Sequence, residues 1–250
     1  MAKYLIIGSG RTAKHFAYYF QLLNFHFQSW SRHQSLDLLK IHLEEASHVL
    51  LLISDSALQS FYQENLQPAG KTVLHFSGAL EIPGMISAHP LMTFSEHFYD
   101  RQTYESIPFV TTSTSNLKEI LPGLPNLAFQ ISAGQKAYYH SLCVISGNFT
   151  TILWQKMAQG LEQIGVPESA AHAYRKQIFS NLETHLETAL TGPFARKDLM
   201  TVRKNLEALK SDSFFKIYQA FAEVFFPSPA VKLETVSTSQ TTSSETRNQL

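Results

Sequence analysis

The chain has 250 residues, 44% of them hydrophobic, and it balances 20 Lys and Arg against 20 Asp and Glu. That length and composition suit one large or two modest globular domains. The zero net charge argues against a nucleic-acid partner, and no apolar run approaches the roughly 20 residues that cross a bilayer.

Residues 3–7 read as a buried strand, followed by Gly8-Ser9-Gly10 and a helix over residues 11–23 with Ala13, Phe16, Ala17 and Phe20 at helical spacing. Further strands are predicted at 25–30, 48–53 and 72–76, alternating with helices at 36–43 and 57–66. This rhythm predicts a mostly parallel sheet with helices on both faces. Three more short strands are predicted at 85–88, 108–112 and 127–131, with a helix near 117–121. From residue 135 the texture becomes all helical. Residues 135–165 predict one long, mostly buried helix, stopped by Gly165-Val166-Pro167. Helices at 168–190, 197–209 and 213–225 follow. The expected domains are 1–132, a dinucleotide-binding sheet domain, and 133–226, a helical substrate and dimerisation domain. Residues 227–250 are rich in Ser and Thr and predict a disordered tail.

Gly8-Ser9-Gly10-Arg11-Thr12-Ala13 fits G-x-G-x-x-A between a strand and a helix. The first glycine permits the tight turn, the second lets backbone approach a diphosphate, and the small Ala13 packs near the strand. The helix start then offers free N–H groups and a positive dipole end. Gly8, Ser9, Gly10, Arg11 and Thr12 are therefore candidate cofactor contacts. The second strand ends at Ser29-Trp30-Ser31-Arg32-His33, where an NAD site would carry a carboxylate. Ser31 and Arg32 can donate instead to a 2′-phosphate, so NADP(H) is the expected cofactor. Ser54 and Asp55 close the third strand, where they can cap the next helix and touch cofactor. Ser77 and Gly78 close the fourth at the same edge.

His89, held extended before Pro90, is a candidate general acid or base because a histidine titrates near neutrality. His140 and Asn148 lie eight apart on the long helix, loosely on one side, where polar groups need partners or a substrate. Arg196, in the Gly192-Pro193 linker, is a candidate anchor for an anionic substrate, and Asp198 a cap for the following helix. Ser77 and Lys136 join Arg196 as candidate substrate contacts. The eleven histidines show no metal-ligand spacing (His42 and His48 are six apart), so no metal is expected. The lone Cys143 and the absence of a signal-peptide pattern before the first strand lead to an expectation of a reducing cytoplasm.

Together, "GSGRTA", "HFSGAL", "HPLMTF", "KAYYHSLCVISGN" and "TGPFARKDLMTV" resemble a bacterial family that pairs a Rossmann-like NADP-binding domain with a helical domain of unknown function 2520. The resemblance covers about residues 1–225. That family is similar to the deazaflavin-dependent NADP reductases, the pyrroline-carboxylate reductases, and the 6-phosphogluconate and 3-hydroxyisobutyrate dehydrogenases. It implies hydride transfer, a small-molecule substrate and a homodimer formed through the helical domain. The hydroxyacid dehydrogenases of the group place a catalytic lysine four residues before an asparagine on the interdomain helix. If Asn148 is that asparagine, the lysine position holds Val144, and either His140 or His89 takes that role, or the chemistry differs, or none occurs. The leading expectation is an NADP(H)-dependent oxidoreductase with a small, anionic substrate. Its rivals are an NADP(H)-binding sensor without catalysis and a helical dimerisation protein with a vestigial nucleotide fold.

Overall fold

The computed structural model describes residues 2–66 and 70–226; the predicted tail at 227–250 lies outside the described residues. The chain divides between Met157 and Ala158 into two compact units.

The first unit is built on a seven-stranded sheet: β1 (Tyr4–Ile7), β2 (Phe27–Trp30), β3 (His48–Leu51), β4 (Thr72–His75), β5 (Ile86–Pro90), β6 (Phe109–Thr111) and β7 (Ala128–Gln130). Their spatial order is β2-β1-β3-β4-β5-β6-β7. All neighbours run parallel except β5 and β6. Chain order reverses between β1 and β3, so the crevice beyond their carboxyl ends is a topological switch point, where ligands of open α/β sheets bind.

β1 reads Tyr-Leu-Ile-Ile with every residue buried, as a strand covered on both faces must. Its side chains alternate between two cores. Tyr4 and Ile6 join Phe16, Phe20, Leu74 and Phe109 on one face. Leu5 and Ile7 join Leu39, Val49, Leu58 and Val73 on the other. Helices α1 (Arg11–Leu22), α4 (Arg101–Ser106) and α5 (Leu117–Ile120) supply residues to the first core, and α2 (Leu36–Glu45) and α3 (Asp55–Asn65) to the second. Helix α4 was not anticipated from the sequence. Its six residues carry too little periodicity to show, yet Asp100 caps it, accepting from Thr103 N–H at 2.7 Å.

The expected long helix is a composite. A 3-10 turn (Ala133–Gln135) leads into α6 (Lys136–Cys143), a π-helical segment (Val144–Phe149) and α7 (Thr150–Gln163). It is not mostly buried as expected. Leu142, Ile145, Phe149, Ile152 and Leu153 are 40–53% exposed, so nothing among the described residues fully covers that stripe. The boundary expected at 132/133 follows the last strand, whereas the compact units divide within α7. Residues of α6 make their hydrogen bonds to the sheet unit.

The second unit continues with α8 (His172–Thr184), α9 (Gly192–Ala195), α10 (Leu199–Ala208) and α11 (Phe215–Phe225). The helix expected to reach residue 190 stops at Thr184, where His185 leaves the helical region at φ −147°. The core of this unit is small: Val202, Leu206, Ala222 and Phe226, flanked by Phe194 and Tyr218. Asp198 caps α10 as expected, accepting from Thr201 N–H.

Buried Asn126 ties the sheet to α4. Its amide donates to the carbonyls of Tyr104 (2.7 Å) and Ile107 (2.9 Å), and its oxygen accepts from Tyr19 Oη at 2.7 Å. Asn126→Leu should therefore strand three buried groups and cost roughly 2–4 kcal/mol. Urea unfolding checks this, and a loss below about 0.5 kcal/mol would show that the network is dispensable.

Candidate functional site

The turn after β1 is fixed by sterics. Gly8 has φ +140°, and a Cβ built there would overlap the Leu52 carbonyl oxygen, so only glycine fits. Gly8 N–H donates to Trp30 O at 2.9 Å, and Leu52 N–H donates to Ile7 O at 2.8 Å. These bonds bring the ends of β1, β2 and β3 together. Gly10 stands at the N-cap of α1, no side chain caps that helix, and a Cβ at Gly10 would meet nothing within 4 Å. Ser9, Gly10 and Arg11 are exposed and Thr12 is half-buried. By contrast, Ser35, Asp100, Asn116 and Asp198 cap their helices with side chains. The amide end of α1 thus opens to solvent with no acidic residue in its first turn, a setting that favours an anion.

Ile7 and Trp30 are register partners, so Ser31 emerges beside Gly8. Ser31 N–H donates to Gln34 Oε1 at 2.8 Å, and Gln34 N–H donates to Ser31 O at 2.9 Å. This closed turn leaves Arg32 exposed.

The capping expected of Ser54 or Asp55 is not made. Ser54 holds the N-cap position of α3 without a side-chain bond. Asp55 instead accepts from Ser77 Oγ at 2.7 Å. Ser77 is buried and also receives the N–H groups of Ala79 and Leu80. It is thus committed to the turn after β4 and to Asp55.

Beyond that turn, α6 meets the ends of β4 and β5. The His140 ring lies against Gly78 so closely that a Cβ there would overlap the imidazole. His89 Nδ1 and Tyr139 Oη are hydrogen-bonded at 2.7 Å, and the His89 and His140 rings stand nearly perpendicular, 5.8 Å apart. The structure therefore brings His89, His140 and Gly78 together. Tyr139 was missed as a partner because its place in the helix read simply as core.

His89 does not titrate near neutrality as expected. Burial first, then the nearby His140 and Lys136, push it down to about 4, so it is neutral at pH 7. His75, at the end of β4, is fully buried, and neither ring nitrogen has a hydrogen-bond partner. Burial and Lys136 push it down to about 4 as well. Lys136 is not a free substrate cation. It is 2% exposed and gives its three hydrogens to Leu80 O, Ser87 Oγ and Glu81 Oε1.

Asn148 lies exposed in the π segment. An unbroken α-helix would set it roughly 80° past the His140 line. The wider π turn rotates each residue less and brings it nearer that line. Arg196 lies in the second unit, exposed at the end of α9, where its charge helps hold the Asp198 carboxyl below its ordinary range, after two bonds from Thr201. The sequence also gave no sign that His15 is buried. Its ring accepts from Tyr104 Oη at 2.7 Å and donates to Ser95 O at 3.0 Å, tying the loop after Pro90 to α1. Among the described residues no cluster of His, Cys, Asp and Glu is suited to a metal, and no helix is long and apolar enough to cross a membrane.

Residues 110–224 match the family described as domain of unknown function DUF2520. No curated protein sequence matches the chain. Among solved structures, a candidate NADP oxidoreductase from Bacteroides fragilis is 21% identical, with a TM-score of 0.70 over 91% of this chain and 98% of that one. A Thermotoga maritima protein is 20% identical, with a TM-score of 0.65 over 89% and 96%. The 1-pyrroline-5-carboxylate reductase of Streptococcus pyogenes is 13% identical, with a TM-score of 0.57 over 90% and 96%. At such identities the likeness establishes the fold: a Rossmann-like, mostly parallel sheet followed by helices, as the sequence predicted.

The two neutral histidines make stability pH-dependent. Their folded values of about 4 lie below the ordinary 6.5. Stability is therefore full above pH 6.5 and falls as pH drops from 6.5 toward 4, by roughly 2 kcal/mol per histidine at pH 5. Urea midpoints of the protein and of His89→Gln, taken at pH 7 and pH 5, check this. The variant should lose less on acidification, and equal losses would contradict the buried neutral state of His89.

Proposed function

We propose that this protein, whose residues 110–224 match the DUF2520 family, is an NADP(H)-dependent oxidoreductase acting on a small anionic substrate. The observation that carries this reading is Gly8: its left-handed turn against Leu52 leaves the amide end of α1 open at the sheet's switch point. The residues fit a dinucleotide. The first-turn amides and Arg11 would take the diphosphate, Ser31 and Arg32 the 2′-phosphate, and Ser54, Asp55, Ser77 and Gly78 would line the nicotinamide end. The Bacteroides fragilis relative, named an NADP oxidoreductase, supports the same cofactor.

NADP(H), when bound, supplies or accepts the hydride. The chain's own residues orient the substrate and manage one proton. His89 is neutral, with Tyr139 on its Nδ1, so Nε2 is the nitrogen left for the reacting oxygen or nitrogen of the substrate. His140 forms the second wall and Asn148 adds a hydrogen-bonding group. The protein works as a homodimer, its exposed α6–α7 stripe covered by a second copy, in a reducing cytoplasm that suits Cys143.

A second reading is an NADP(H)-binding sensor without turnover. Val144 at the expected lysine position and the full engagement of Lys136 favour it. Oxidation of NADPH in the presence of oxo or imino acids separates the two, since binding without turnover supports the sensor.

Titration calorimetry tests the cofactor. NADPH should bind at least about tenfold tighter than NADH, and Arg32→Ala should remove that preference. Tighter NADH, or no effect of the substitution, would refute the assignment. Light scattering tests the assembly. The protein should run as a dimer and Phe149→Asp as a monomer, and a monomeric wild type would contradict the covered stripe.

A further inference from the structure

Lys136 is the first residue of α6 and is almost wholly buried. An ammonium has three hydrogens, and this one has three acceptors: the Leu80 carbonyl, Ser87 Oγ and the Glu81 carboxylate, the last at 3.2 Å. The other Glu81 oxygen accepts from Thr112 Oγ1 at 3.1 Å, which fixes the carboxylate in turn. A buried charge left unsatisfied would cost several kcal/mol. Here none of the three hydrogens is spare for a substrate.

The acceptors belong to the two segments that build the histidine pair. Leu80 and Glu81 follow Gly78, on which the His140 ring rests. Ser87 precedes His89, to which Tyr139 is bonded. Tyr139 and His140 themselves lie on the turn of helix that Lys136 opens. One ammonium therefore joins the turn after β4, strand β5 and helix α6. We propose that Lys136 is a positioning residue that sets the geometry of His89 against His140. Its use for catalysis rests on the reading of His89 given above.

The electrostatics agree with the geometry. Lys136 acts on His89 in the same sense as burial and His140, against protonation. It does the same to His75, the register partner of Ser87 on β4. The groups that bear on His89 are Tyr139, His140 and Lys136 from α6, with Asp55 at the start of α3 acting in the opposite sense. Burial penalises Lys136 too, and Glu81 opposes that penalty. The cluster tolerates one cation, and the triply bonded ammonium takes that place.

Nuclear magnetic resonance of the protein without cofactor tests this, with NADPH added separately to each sample. In Lys136→Met the His89 titration midpoint should rise by at least about half a unit, and the contact between the His140 ring and Gly78 should vanish. NADPH affinity is read separately, because the substitution also loosens the Gly78 turn of the proposed cofactor site. A folded Lys136→Met with an unchanged His89 midpoint and an intact His140–Gly78 contact overturns the proposal. Should that variant not fold, Ser87→Ala decides. It keeps the charge and removes one acceptor, so the midpoint should hold while the contact between His89 and Tyr139 weakens; an unaltered contact overturns the proposal. A wild type that binds no NADPH sinks the cofactor reading alone, since the His89 titration is read without it.

Discussion

The Leu52 carbonyl occupies the place where a side chain on residue 8 would have to be. That one exclusion organises the amino-terminal half of the chain. It forces glycine and a φ of +140° at the end of β1, brings β1 and β3 to the same level, and starts α1 in the crevice between them. A bare helix start at that point leaves several N–H groups without intrahelical partners. At four other helices the same need is met by Ser35, Asp100, Asn116 or Asp198, though α3 also lacks a side-chain cap. At α1 no side chain meets it, and the glycine at the cap leaves room for a ligand.

A second constraint governs the far side of the sheet. The ends of β4 and β5 carry polar side chains in a region where most neighbours are apolar. Two imidazoles there stay neutral because desolvation outweighs everything nearby. One ammonium stays because three acceptors surround it. A neutral His89 is a hydrogen-bonding partner rather than a standing acid. Its partner, the Tyr139 hydroxyl, is held above its ordinary value by burial and then by a hydrogen bond with Cys143.

Much of this was legible in the sequence. All seven strands were expected within a few residues of where they form, because β-branched and aromatic runs between turn residues leave few alternatives. The glycine turn was readable for the same reason that it exists: only glycine satisfies it. The histidine pair was half legible. His89 before Pro90 and His140 on the long helix stood out, but their meeting depends on α6 reaching across to Gly78, which no local pattern encodes. Lys136 read as a candidate substrate contact because its acceptors lie some fifty residues away in the chain. The exposed stripe on α6 and α7 read as buried because apolar periodicity reports that a face needs covering and not which molecule covers it. The π segment was invisible, since its residues are ordinary helix formers whose hydrogen bonds shift by one place.

The central claim is that the amide end of α1 receives a dinucleotide diphosphate. Backbone amide resonances of the intact protein, followed during addition of NADPH, test it most directly. The account predicts that the Gly8, Ser9, Gly10, Arg11 and Thr12 signals move first and furthest, with Arg32 moving in step and the amides of α11 staying still. Saturating NADPH that leaves the Gly8 to Thr12 signals in place, or shifts only distant residues, would contradict it.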